Sequence, residues 1–203
     1  MSLLEKVEVP EGKSGVWSVE RFEVKEAESM MSFFAYRGRA PHPGWYTRLS
    51  CGREVIMSDT PAEMSDHYEP VREAMRLGGS VLINGLGLGM VLKNILLQPN
   101  VTDVAVVELS EDVIRLVGPT YETDPRVTIV HADAYTWEPP KGKRYSIVWH
   151  DIWPSLCGDN LPEMAKLHRK YGRRCDWQGS WGKRLLEAEK RREGRQSRYA
   201  YGW

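Results

Sequence analysis

The stretch Val81-Leu82-Ile83-Asn84-Gly85-Leu86-Gly87-Leu88-Gly89-Met90 constrains the fold of this chain more than any other. Residues 81–83 are a short apolar run rich in β-branched side chains, preceded by the turn signal Gly78-Gly79-Ser80, and residues 90–97 recur apolar at helical spacing. That pattern predicts a buried strand, a glycine-rich turn and a helix. Glycines at such a turn let the backbone approach a ligand closely, and the following helix directs free N–H groups into the crevice. The spacing Gly85-x-Gly87-x-Gly89 is not the G-x-G-x-x-G of dinucleotide enzymes, because that pattern would require glycine at Met90 or at Leu92. A nicotinamide cofactor is therefore not expected.

The segments that follow repeat the strand pattern and end in acids. Residues 104–107 run into Glu108, nineteen positions after Gly89, where a doubly wound α/β fold places an acid for two ribose hydroxyls. Residues 127–130 run into His131-Ala132-Asp133-Ala134, and residues 145–149 into His150-Asp151-Ile152-Trp153-Pro154. Each acid taken alone has a simpler explanation as a helix N-cap. The ordered set at successive strand ends points to a ligand, since open α/β sheets bind at that edge.

These residues resemble the class I S-adenosylmethionine-dependent transferases, within them the spermidine synthase-like branch, over roughly residues 49–181. The family's G-G-G-D-G-G-V-L-R loop is similar to Gly85-Leu86-Gly87-Leu88-Gly89-Met90-Val91-Leu92-Lys93, and its ribose acid in E-I-D-E-D-V-I is similar to Glu108 in Val107-Glu108-Leu109-Ser110-Glu111-Asp112-Val113-Ile114. Asp133, followed by Ala134, looks like the acid of the family's adenine segment. The resemblance implies an S-adenosylmethionine site on Gly85, Gly87, Gly89, Glu108, Leu109, Asp133 and Ala134, a catalytic Asp151 and an acceptor contact from Tyr68, while Trp149 and Trp153 flank the site in sequence, where Trp153 is expected to contact a flat or cationic acceptor. It also implies a Rossmann-like doubly wound sheet, truncated to about five strands in the order 3-2-1-4-5, because only about fifty residues follow Asp151. Such a sheet leaves an open edge, which makes self-association an expectation.

Two departures bear on the activity. Leu88 stands where the family loop has an aspartate, and His150-Asp151-Ile152-Trp153-Pro154 keeps only the first acid of the family's D-S-S-D-P. A polyamine needs carboxylates for its ammonium groups, so methyl transfer to a small-molecule acceptor is favoured over aminopropyl transfer. A non-catalytic nucleoside-binding protein that kept the fold is the third reading.

Organisation follows from the same patterns. Residues 1–58 read as a β-rich extension, with a strand over 16–24, a turn-rich break over 39–44, and a hairpin whose strands at 45–50 and 54–57 flank Cys51-Gly52-Arg53. Residues 59–182 form the nucleoside-binding unit, opening with one helix over 61–77 that has Pro61 in its first turn. Helices are expected over 161–173 and 183–193, with a short strand over 175–181 between them. Residues 183–203 form a basic helix and tail. From Lys166 onward twelve cationic side chains face four acidic ones, with Tyr199, Tyr201 and Trp203 at the end, a pattern that suits a solvated helix better than a nucleic-acid surface.

Formal net charge is zero, so nothing global points to nucleic acid or membranes, and no apolar run near the N-terminus is long enough for a signal or a membrane span. Three widely spaced cysteines, Cys51, Cys157 and Cys175, suggest neither a disulfide framework nor a zinc site and fit the reducing cytoplasm.

Overall fold

The computed structural model describes residues 4–26 and 41–200, with side chains through 194. The predicted break at Arg39 and Ala40, and the aromatic tail of Tyr199, Tyr201 and Trp203, lie outside the described residues or their side chains. Two sheets make up the architecture, β1-β2-β3-β4 and β7-β6-β5-β8-β9.

In the first sheet β1 (Gly12–Ser14), β2 (Trp17–Val24), β3 (Gly44–Cys51) and β4 (Glu54–Ser58) form an antiparallel meander. Strands β2 and β3 pair over their full length, from Trp17 opposite Cys51 to Val24 opposite Gly44. The alternation of residues 16–24 is met by β2, and Val19 of β2 with Leu49 of β3 brings the inner face of the sheet into the main core. Strand β1 had no apolar period to announce it. Ser14 Oγ donates to Asp112 Oδ1 at 2.6 Å, which ties β1 to the helix that follows β6.

The second sheet is wholly parallel. It comprises β5 (Gly79–Asn84), β6 (Val101–Glu108), β7 (Val127–His131), β8 (Tyr145–His150) and β9 (Cys175–Ser180), so in chain order its strands lie 3-2-1-4-5, as in a Rossmann-like fold. Parallel strands are covered on both faces and read as continuous apolar runs. Here Val81, Ile83, Ile147 and Trp149 face one core cluster, and Leu82 and Val148 face the other. Helices α1 (Pro61–Asp66), α2 (Tyr68–Leu77), α3 (Met90–Leu96), α4 (Glu111–Tyr121), α5 (Asn160–Tyr171) and α6 (Lys183–Ala200) complete the chain. The N-terminal segment is fastened to α3, with Leu4, Val7 and Val9 buried and Asn94 Oδ1 accepting from Glu5 N at 2.7 Å.

One expectation fails with an identifiable cause. The single helix over 61–77 is interrupted at His67, whose backbone leaves the helical region at φ −101°, ψ 9°. Pro70 has no N–H to give the Asp66 carbonyl, and its ring crowds that oxygen, so the helix cannot run through. The last helix extends to Ala200, beyond the expected 193. Among the described residues no helix is long and apolar enough to cross a membrane.

Candidate functional site

At the carboxyl edge of the parallel sheet lies a cavity of about 470 Å³. Pockets that bind small molecules span roughly 300–1,000 Å³. Gly85, Gly87, Glu108, Leu109, Asp133, Ala134, Asp151 and Trp153 all line it. Gly89 and Tyr68 do not. Gly89 sits at the start of α3 with its missing Cβ against the Tyr121 ring, and Tyr68 packs on the main core.

The glycine loop differs in detail from a bare cradle. All three glycines have positive φ, at 98°, 52° and 73°. A Cβ at Gly85 would strike the Asp151 carbonyl, and one at Gly87 would strike the Met57 sulfur. The loop is thus closed up against the tip of β8, against the β-hairpin, and against Tyr121, whose hydroxyl donates to Leu88 O at 3.0 Å. Leu88, at the place of the family's aspartate, is fully buried, and its N–H points at Met57 Sδ at 3.2 Å. Helix α3 has only seven residues, so its N-terminus contributes no site of its own.

Glu108 is not a helix cap. Ser110 takes that role, with its Oγ accepting from Val113 N at 3.3 Å. Glu108 instead accepts from Leu86 N with Oε2 and from Ser110 N with Oε1, both at 2.8 Å, which staples the glycine loop to the end of β6. Each oxygen retains acceptor capacity for a diol. Asp133 closes a turn, accepting from Tyr135 N at 2.7 Å with Oδ1, and no helix lies between β7 and β8 for it to cap. Leu109 is exposed at the rim, whereas Ala134 and Trp153 are buried in the wall. Trp153 Nε1 donates to Glu163 Oε2 at 2.7 Å, which anchors that wall.

Asp151 continues the ladder of β8 by one residue, its N–H bonding Asn84 O at 2.8 Å. Strand alternation therefore puts its side chain on the same face as Trp149, with His150 on the other. Asp151 is far from the start of α5 and caps nothing there. Its Oδ2 lies 2.7 Å from Nε2 of His67. His67 lines the cavity without having been singled out in the sequence, and Pro70, which breaks the helix at it, was the available signal. The protonation of this pair follows from geometry. Nδ1 of His67 lies 2.7 Å from the Glu63 carbonyl, which only accepts, so Nδ1 carries a hydrogen. Nε2 then has to share a proton with Asp151. Burial opposes charge on His67, but the Asp151 carboxylate and its hydrogen bond, assisted by the Glu63 carbonyl, outweigh that and raise its pKa to about 9. The Trp181 ring stacks on the imidazole at 6.2 Å and 5°. Among the described residues Oδ1 of Asp151 makes no hydrogen bond.

His150 faces the opposite core with no exposure. Its Nδ1 accepts from Asn84 Nδ2 at 2.8 Å, and burial, with His168 nearby, pushes its pKa down to about 3. His168, lowered by burial and by Lys183 to about 4, lies 5.4 Å away ring to ring. Both rings are neutral parts of a buried polar seam beneath α5 and take no part in the cavity.

No family model matches the chain, and no curated protein matches it. Solved structures do resemble it in part. The CcbJ methyltransferase from Streptomyces caelestis is 23% identical at TM-score 0.43, covering 54% of this chain and 45% of that one. An S-adenosylmethionine-dependent methyltransferase from Mesorhizobium loti is 18% identical at TM-score 0.42, covering 54% and 49%. The spermidine synthase from Thermotoga maritima is 18% identical at TM-score 0.45, covering 71% and 47%. The chain spans about half the length of each of these proteins.

Proposed function

We propose that this chain is an S-adenosylmethionine-dependent methyltransferase acting on a small-molecule acceptor. The observation that carries the reading is that one cavity gathers the Gly85–Gly87 turn, Glu108, Asp133 and Asp151 from the ends of four successive parallel strands. In this reading Glu108 holds the ribose diol, Asp133 accepts from the adenine amino group, Leu109 and Ala134 pack on the base, and the loop backbone faces the amino-acid tail. The donor set fits a nucleoside, with carboxylates spaced along the edge and apolar walls between them. The cofactor, when bound, supplies an electrophilic methyl group on a sulfonium.

The chain's own part is to hold the acceptor in line and to take its proton. Asp151 Oδ1 is the group placed for this, because Oδ2 is held by His67. Trp17, Leu49, Ile56 and Met57, from residues 1–58, line the same cavity, and in this reading residues 59–182 hold the nucleoside. Methyl transfer is preferred to aminopropyl transfer because the carboxylates that would pair a polyamine are missing at Leu88 and after Asp151. Calorimetric titration with S-adenosylmethionine, S-adenosylhomocysteine and decarboxylated S-adenosylmethionine tests the proposal. Binding of the first two is expected; a preference for the decarboxylated form would favour aminopropyl transfer, and binding of none would overturn the cofactor assignment.

A further inference from the structure

The amides of the glycine turn are not equally spent. Gly85 N donates to Val107 O and Gly89 N to Leu86 O, both at 2.8 Å, and Leu86 N donates to the Glu108 carboxylate. Leu88 N instead donates to a sulfur, Met57 Sδ, at 3.2 Å. A thioether is a weak acceptor, whereas a carboxylate oxygen is a strong one for a peptide N–H. Leu88 is fully buried, so no solvent stands ready to replace the sulfur. An amide held this weakly is the one in the turn that a ligand is able to recruit.

Met57 is delivered there by an irregularity in its own strand. Leu49 lies opposite Met57 and Ser50 opposite Val55, so Ile56 is an extra residue in β4, the outer strand of its sheet. A bulge of this kind re-aims the side chains beside it. It sets the half-buried Met57 over Gly87, whose missing Cβ leaves the room that the sulfur takes. Met57 lines the cavity and Leu88 does not, so the thioether stands between the Leu88 amide and the cavity. Methionine is unbranched with three rotatable bonds, and it can leave that place while its strand stays put.

We infer that the Leu88 amide is the seat of the carboxylate of the cofactor's amino-acid tail, and that Met57 occupies this seat until a tailed ligand expels it. The inference rests on the proposed transferase reading, since it is that reading which brings a tail to the loop. Met57 then sets a preference among nucleosides. One without a tail leaves the thioether in place, and one with a tail has to break its contact with Leu88.

The test is calorimetric titration of wild type, Met57→Ala and Met57→Leu with S-adenosylhomocysteine and with 5′-methylthioadenosine, a nucleoside thioether without the amino-acid tail. Met57→Ala is expected to tighten S-adenosylhomocysteine about five- to ten-fold, because a hydrogen bond no longer has to be broken, and to leave 5′-methylthioadenosine within about two-fold. Met57→Leu keeps the apolar bulk without the sulfur and should shift S-adenosylhomocysteine the same way by about two- to four-fold. Equal shifts for the two nucleosides, or no gain for S-adenosylhomocysteine, would overturn the role of Met57. Wild type supplies a reading that needs no variant, the nuclear Overhauser contact between the Met57 methyl and the Leu88 amide proton. It should be present in the free protein and with 5′-methylthioadenosine bound, and absent with S-adenosylhomocysteine bound. Its survival in the S-adenosylhomocysteine complex would overturn the inference with nucleoside binding intact. Failure of wild type to bind either nucleoside would instead remove the transferase reading on which the inference rests.

Discussion

Replacing His67 by glutamine reports on the His67–Asp151 pair through the pH dependence of folding stability. The imidazole has an ordinary pKa near 6.5, and the folded protein raises it to about 9. A raised pKa means that the folded state binds the proton more tightly than the unfolded one. The stabilisation is therefore fully present below pH 6.5 and is lost as pH rises through 9. At about 1.4 kcal/mol per pKa unit, the shift corresponds to about 3 kcal/mol. Solvent screening reduces this little, because the side chains of His67 and Asp151 are 4% and 19% exposed. Urea unfolding of wild type and His67→Gln should be measured at about pH 6 and about pH 9.5, where groups common to both proteins cancel. The stability gap is expected to be widest at the lower pH and to narrow by about 3 kcal/mol at the higher. A gap that stays constant across that range would refute the shared proton, and with it the assignment of Oδ1 as the oxygen facing the ligand.

Other consequences are as direct. Glu108→Gln replaces one acceptor oxygen by an NH₂ group and cannot serve Leu86 N and Ser110 N as the carboxylate does, so S-adenosylhomocysteine affinity should fall by roughly 1–3 kcal/mol; undiminished calorimetric affinity in a folded variant would remove the ribose role. Gly87→Ala should lower the melting temperature more than Gly52→Ala, because both have positive φ but only Gly87 abuts the Met57 sulfur, while Gly52 has open space around it; equal shifts would mean that Met57 yields freely. The pKa values of His150 and His168 are lowered to about 3 and about 4, so their contribution is present above pH 6.5 and is lost as pH falls through those values. His150→Asn should reduce the proton uptake on acid unfolding by about one, and an unchanged uptake would show that His150 is not buried neutral. Asp151→Asn should keep S-adenosylhomocysteine affinity within a few fold while lowering turnover by about 10²-fold; full turnover would end its catalytic role.

Much of the sheet was legible in the sequence. Runs such as 81–83, 104–107 and 145–149 are β-branched and apolar because parallel strands are buried on both faces, and the glycines and acids that end them mark the edge at which the cavity lies. Glu108, Asp133 and Asp151 could be picked out for the same reason, since the end of a strand is a local property of the chain. Strand β1 had no such mark, being too short to show a period, and its place depends on Ser14 meeting Asp112.

The sequence by itself determined the order of elements, the glycine turn and the acids at the sheet edge, because backbone propensity, alternation and turn chemistry act over a few residues. Only the tertiary structure decided what those groups meet. It set His67 on Asp151 across 84 residues, laid Met57 over Gly87 and packed Tyr68 against the core. Contacts of that kind depend on how whole elements pack, and packing between distant segments leaves no periodic trace in the chain.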